Sequence, residues 1–197
     1  MSDPRNHHHG DLRRVLIEAG IAQVDDGGVG ALSIRKAATQ AGVSHAAPAY
    51  HFPSLTHFRT AVVTEGYRRF AASMRGQMGV AAPGPRPQLI AACRGYFAFA
   101  SGHPGLFDLM FSTQPFVQAD PALWTAQYDA YQVLSEVSAP YGQNDPAGRR
   151  VAEMRIWSFI HGLSGLAVGK NVMFSDHAEL DRMIEVLVPD FAPTGQA

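Results

Sequence analysis

Between Gly42 and Phe52 the chain reads GVSHAAPAYHF, gathering a serine hydroxyl, two imidazoles and a phenol among small alanines and one proline. Such groups can donate hydrogen bonds to phosphates or base edges, and an alanine methyl can meet the methyl of thymine. A second concentration lies downstream, where Trp157 and His161 stand four residues apart and so share one face of a helix. A polar imidazole amid rings suits a pocket that is mostly apolar with few polar groups. A competing chemistry would have His103, His161 and acidic groups form the site of a small helical enzyme, which needs a nucleophile or base and a group to orient it. The chain shows no phosphate loop, no nucleophile elbow and no metal-ligand pair. The HisHisHis run at 7–9 lacks acidic or cysteine partners at ligand spacing. The expectation is a binding protein and not an enzyme, with no metal and no cofactor.

The elements that must position these residues are helices. Leu12, Val15, Leu16, Ala19, Ala22 and Gln23 recur at helical spacing, which predicts a first helix over 11–26 with Asp11 as its cap and the glycines at 27–28 as its end. Ser33 caps a predicted second helix over 34–41, stopped by Gly42. Ser44 caps a short third helix over 45–52, with Pro48 in or just after its first turn, where few amides have a helical partner. A long fourth helix follows over 55–78. Two short helices about a glycine turn, preceded by a longer helix, make a helix-turn-helix whose last helix faces the major groove. Small Ala37, Ala38 and Val43 let the two short helices approach closely.

Composition agrees with this architecture. The 197 residues are 46% hydrophobic and 17% charged, a globular balance, and the single Cys93 cannot close an internal disulfide. Residues 1–75 carry nine basic and six acidic side chains, the remainder seven and eleven, so the front is mildly basic and the back acidic. The first residues lack the apolar stretch of a signal peptide, and no apolar run reaches the ~18 residues of a membrane span. The expected location is the cytoplasm, away from membranes.

Residues 14–19, LSIRKAATQAGVS at 32–44 and YHFP at 50–53 resemble the DNA-binding region of TetR-family transcriptional regulators, and HHGDLR at 8–13 resembles the lead-in of one subgroup. The resemblance implies an all-helical homodimer that places one short recognition helix of each subunit in a half-site of a pseudo-palindromic operator in double-stranded DNA. The residues expected at the DNA are Ser33, Arg35, Ser44, His45, Ala46, Ala47, Ala49, Tyr50, His51 and Thr56. Two positions depart from the family pattern. Ala49 stands where the family has a tyrosine, one place before Tyr50, and Leu55 stands where a phosphate-contacting lysine is usual, with Thr56, His57 and Arg59 as substitutes.

The back half resembles the C-terminal domain of the TetR subgroup named for a Trp-His-Gly signature, through Trp157, His161 and Gly162 and through FASGHPGLFDLMF at 99–111. Tyr96, Phe97, Phe107, Met110, Phe111, Trp124, Tyr128, Trp157 and His161 are the candidate lining of an effector pocket for an apolar or aromatic small molecule; the same aromatics at helical spacing are also what a plain core would use. The helix around 151–170 is apolar nearly all round and needs two partners. Ile160, Gly162, Leu163, Gly165, Ala167 and Gly169, with Leu180, Ile184 and Leu187 of a last amphipathic helix, are the candidate interface with a second copy. The expected organisation is an all-α chain: a helix-turn-helix domain over 8–54 continued by a linking helix over 55–81, a ligand-binding and dimerisation domain over 87–190, and a flexible tail over 191–197. The expected function is a repressor released from its operator by a small molecule, with a ligand-independent DNA-binding dimer as the alternative.

Overall fold

Proline opens a helix at no hydrogen-bonding cost, because the first amides have no helical partner. The chain uses this repeatedly. A computed structural model describes residues 5–142, 145–172 and 177–188, with backbone alone for 5–11, His177 and Leu187. Its helices are α1 (Arg5–Gly27), α2 (Ile34–Gln40), α3 (Leu55–Val80), α4 (Pro85–Gly102), α5 (Pro104–Met110), α6 (Pro121–Ser138), α7 (Pro146–Val168) and α8 (His177–Leu187). Short 3-10 turns lie at Val29–Ala31, Ala47–Tyr50 and Ala139–Tyr141. No strand occurs among the described residues, and no helix there is long and apolar enough to cross a membrane. The tail over 191–197 and the side chain of Leu187 lie outside the described residues.

The fold divides into two compact units that are not consecutive in sequence. One contains Met1–Tyr67 and His103–Gln127, the other Arg68–Gly102 and Tyr128–Ala197. In the first unit α1 begins ahead of Asp11, which therefore lies inside the helix and does not cap it. Its buried face is made by Leu16, Ile17, Ile21, Gln23 and Val24, whereas Ala22, expected on that face, is exposed. Gly20 lets α3 come close: a Cβ there would stand 2.7 Å from Val62 and 2.8 Å from Phe58.

The segment 103–127 joins the first unit for a local reason. Gly105 of α5 presses on the Val24 carbonyl so closely that no side chain would fit. Asp25, at the end of α1, then caps α5: its Oδ1 accepts from the Leu106 amide at 2.9 Å, and its Oδ2 lies 2.8 Å from His103 Nδ1. Further along, Arg59 donates to the Pro115 carbonyl at 2.9 Å and Thr60 Oγ1 accepts from the Val117 amide at 2.9 Å.

In the second unit α4 is buried along most of its length, from Leu89 to Ala100. Gly95 sits against the backbone of Met74, and Ser73 donates to the Gly95 carbonyl at 2.8 Å. Ile156, Ile160 and Leu163 of α7 and Ile184 of α8 complete this core. Arg94 of α4 reaches α8 through Asp181 at 2.8 Å and Glu185 at 3.0 Å.

Candidate nucleic-acid interface and aromatic cluster

α2 is clamped at both ends by one side chain of α1. Gln23, the single polar member of the expected apolar face, accepts from the Ser33 amide at 2.8 Å and donates to Gln40 at 2.9 Å. Ser33 adopts extended backbone and its hydroxyl accepts from the Lys36 amide at 3.3 Å, the cap its type predicts. At the other end Gly42 takes φ +68°, a left-handed conformation open to glycine. The Val43 amide donates to Ala38 at 3.0 Å and the Gly42 amide to Thr39 at 3.1 Å, which closes the orphan carbonyls of α2 and turns the chain.

The spacing predicts an α-helix over 45–52, and here the structure differs. The segment is a pair of tight turns followed by a single 3-10 stretch, Ala47–Tyr50. Ala47 donates to Ser44, Ala49 to Ala46 and His51 to Pro48, each across three residues. Pro48 explains this: it has no N–H to give Ser44, and it disfavours helical backbone at Ala47. Ser44 therefore does not cap through its hydroxyl; the cap position falls to Ala46, without a side-chain bond. Pro48 is buried, and Phe52 is buried against Phe58 with ring centroids 5.0 Å apart and Arg13 5.6 Å above its ring. These anchors fix the segment and push its other side outward.

That outward side holds Ser44, His45, Ala46, Ala49 and Tyr50, all exposed, with Tyr50 81% accessible; Ala47, His51 and Thr56 are half-buried. Arg35 and Lys36 of α2 are exposed beside it. His45 leans on α2: Arg35 Nε donates to its Nδ1 at 3.3 Å, and its Nε2 lies 3.2 Å from Thr39 Oγ1. Thr39 is not legible as a site residue from its type alone, since only the turn at Gly42 brings it under His45. At the start of α3 the Ser54 hydroxyl accepts from the His57 amide at 3.4 Å and meets the His57 ring at 2.8 Å, a cap that Ser-x-x-His spacing could have revealed. Of the three residues expected to stand in for the lysine missing at Leu55, Thr56 is half-buried, His57 is exposed and Arg59 donates to the Pro115 carbonyl.

The second group of candidates is distributed over both units. Phe107, Met110, Phe111 and Trp124 belong to the first unit, and Tyr96, Phe97, Tyr128, Trp157 and His161 to the second. In the first unit Phe107 and Met110 are core, Phe111 touches Phe107 and Tyr67, and Trp124 is 65% exposed. In the second, Tyr96, Trp157 and His161 come together. Tyr96 is 5% exposed, its hydroxyl lies 2.7 Å from His161 Nδ1, and its ring meets Phe70 at 4.6 Å. Trp157 lies edge-on to His161 at 6.0 Å. Burial pushes the His161 imidazole below its ordinary pKa, so it is neutral near pH 7. Phe97 is buried core, and Tyr128 is an exposed ring beside Tyr131. Tyr131 donates to buried Glu153 at 3.1 Å, and that bond raises its own pKa. His103 and His161 are each engaged within their own unit, with Asp25 and Tyr96.

Of the expected interface residues, Ile160, Leu163 and Ile184 face the chain's own interior and are not at the surface; Ala167 and Leu180 are half-buried. Gly162, Gly165 and Gly169 are exposed, the first two with nothing near an added Cβ. The same two helices carry further exposed apolar side chains: Val151, Met154 and Leu166 of α7 and Met183 and Val186 of α8. Among the described residues no group of three or more metal-ligating side chains occurs; the side chains of 7–9 are outside them.

Residues 89–191 match the family described as "Tetracyclin repressor-like, C-terminal domain", a description that names no Trp-His-Gly subgroup. No curated protein matches the chain. Among solved structures, a protein of unknown function from Rhodococcus sp. RHA1 is 27% identical, with 96% of this chain and 97% of that one covered and a TM-score of 0.76. A TetR family transcription regulator from Marinobacter aquaeolei VT8 is 18% identical, with 92% and 94% covered and a TM-score of 0.67. The transcriptional regulator FadR from Bacillus subtilis, solved in complex with stearoyl-CoA, is 17% identical, with 91% and 99% covered and a TM-score of 0.66.

Proposed function

The chain belongs to the tetracycline-repressor-like (TetR) family, and from that premise we propose that it is a homodimeric, sequence-specific DNA-binding transcriptional regulator. The observation that carries the proposal is the surface built by Gly42 and Pro48. It presents Arg35, Ser44, His45, Ala49 and Tyr50 outward, on a segment held from behind by Pro48 and Phe52. A thin, polar, rigidly anchored edge beside two cations suits the major groove, with Ser33, Thr56 and the amino end of α3 toward the phosphates. The helix-turn-helix domain is assigned to 8–54 and its linking helix to 55–81. The regulatory domain is assigned to 87–190, an assignment supported by the family match over 89–191.

The regulatory half binds a small apolar or aromatic effector, and the effector releases the repressor from its operator. Tyr96, Trp157 and His161 are the polar-and-ring cluster assigned to it. The stearoyl-CoA held by one structural neighbour supports a ligand role for this fold. Gly162 and Gly165, with the exposed apolar residues of α7 and α8, are assigned to the dimer face, and the cytoplasm is the assigned location. A ligand-independent DNA-binding dimer is the second reading, favoured by the burial of Phe97, Phe107 and Met110 as core.

The test is binding of the purified protein to DNA upstream of its own gene, against unrelated DNA of equal length, at two salt concentrations. Selective binding that weakens with salt supports the proposal. Absence of binding to any DNA at low salt sinks it.

A further inference from the structure

His45 has its two ring nitrogens facing α2, and the chemistry of the groups there leaves one arrangement of protons. An arginine Nε can only donate, so the Nδ1 that receives it must carry a lone pair. A neutral imidazole then bears its proton on Nε2, which donates to Thr39 Oγ1. The Thr39 hydroxyl in turn spends its own hydrogen on the Arg35 carbonyl, at 3.1 Å. The three bonds run head to tail from the Arg35 side chain back to the Arg35 backbone.

We infer that His45 is a positioning residue that pins Arg35 while neutral and releases it on protonation, making operator selectivity dependent on pH. The inference rests on the DNA-binding reading of this surface. A proton on Nδ1 would set a second donor against Arg35 Nε–H and put two like charges in contact. The imidazolium would leave α2, and the Arg35 fork would lose the bond that orients it. Arg35 is the charged group in contact with the ring; on its own segment the titratable neighbours are Tyr50 and His51. The freed His45 cation is attractive to any phosphate, so acidification trades selective for unselective binding.

The experiment selects duplexes from a randomised pool with the full-length protein at about pH 8, then titrates the winning duplex and the unselected pool at about pH 8 and about pH 5.5. For the unaltered protein the ratio of the two affinities falls about tenfold on acidification, and the salt dependence on the unselected pool steepens by about one phosphate contact per subunit, about two for the dimer. His45→Asn offers Arg35 an acceptor that cannot be protonated; its ratio is lower than that of the unaltered protein at the higher pH and flat between the two. His45→Ala is flat and lower still. A His45→Asn protein that retains the full fall overturns the inference. The ring nitrogen shifts of His45 in the free protein test it without DNA: a neutral ring protonated on Nδ1 also overturns it. A pool that yields no enriched duplex at low salt overturns the DNA-binding reading itself, and the inference with it.

Discussion

The segment at 44–52 and the α4–α7 cluster use the same residue types to opposite ends. Each brings a histidine and a tyrosine together: the Tyr50 and His51 rings lie 5.3 Å apart, and Tyr96 meets His161 at 2.7 Å. In the segment Tyr50 is 81% exposed and His45 is bonded by side chains at the surface. In the cluster Tyr96 is 5% exposed and His161 is bonded to it from inside, with its pKa lowered by burial. The difference lies in the backbone that carries them. A helix such as α4 repeats its faces every few residues, so a ring on its inner stripe is buried by the neighbouring helix. The turns at 44–50 have no second face; Pro48 and Phe52 go inward and the outer side of the segment is left in solvent. Residue type supplies the chemistry, and backbone geometry decides whether it serves a solvent-borne partner or the core.

The sharpest way to break this comparison is inside the segment. Phe52→Ala should cost about 3–5 kcal/mol in denaturant unfolding, as a buried ring does. Tyr50→Ala, two residues away, should change stability by less than about 0.5 kcal/mol while weakening DNA binding. A core-sized loss on Tyr50→Ala would remove Tyr50 from the proposed interface. Next come the glycines. Gly105→Ala drives a methyl into the Val24 carbonyl and should destabilise the chain by about 2–3 kcal/mol. Gly165→Ala meets nothing within 4 Å and should stabilise the separated chain by about 0.5–1 kcal/mol through helix propensity. On the proposed dimer face the same methyl should weaken self-association, which sedimentation at several concentrations would read.

Within the cluster Tyr96→Phe removes the hydroxyl that meets His161 and should cost about 1 kcal/mol. His161 adds a pH dependence whose sign follows from its lowered pKa. Above its ordinary value of 6.5 the imidazole is neutral in both folded and unfolded chains, and its contribution is constant. Below that value the unfolded chain takes the proton first, so stability falls with pH until the folded pKa is passed. His161→Gln should remove that part of the slope in denaturant midpoints measured across the acid range. The smallest effect is an absence: burial pushes the Cys93 thiol up to about 12, so the native chain should resist alkylation at about pH 8 and react only when unfolded.

Several features are legible in the residues. Ser33 and Gly42 act locally, so the ends of α2 follow from type, whereas prolines open α4 to α7 but Pro53 and Pro115 open no helix. The segment at 45–52 reads as a helix because its apolar spacing fits one, yet Pro48 removes the donor that an eight-residue helix can least spare. Periodicity points to Ile160 and Leu163 as the interface on α7 because it shows that two faces are apolar and not which one is inward. Aromatic content carries no information on which rings meet, so the approach of Tyr96, Trp157 and His161 is not legible in it.

Amino-acid type and spacing by themselves determined an all-helical chain, a glycine turn after α2 and a polar, small-residue edge beside Arg35, since each depends on bonds within a few residues. Only the tertiary structure decided that Gln23 clamps α2, that Asp25 and Gly105 bring 103–127 into the unit of the helix-turn-helix, and that Thr39 and Arg35 hold His45. Those contacts join residues distant along the chain or turned toward each other by a single glycine, and no local preference encodes which partner a polar side chain will meet.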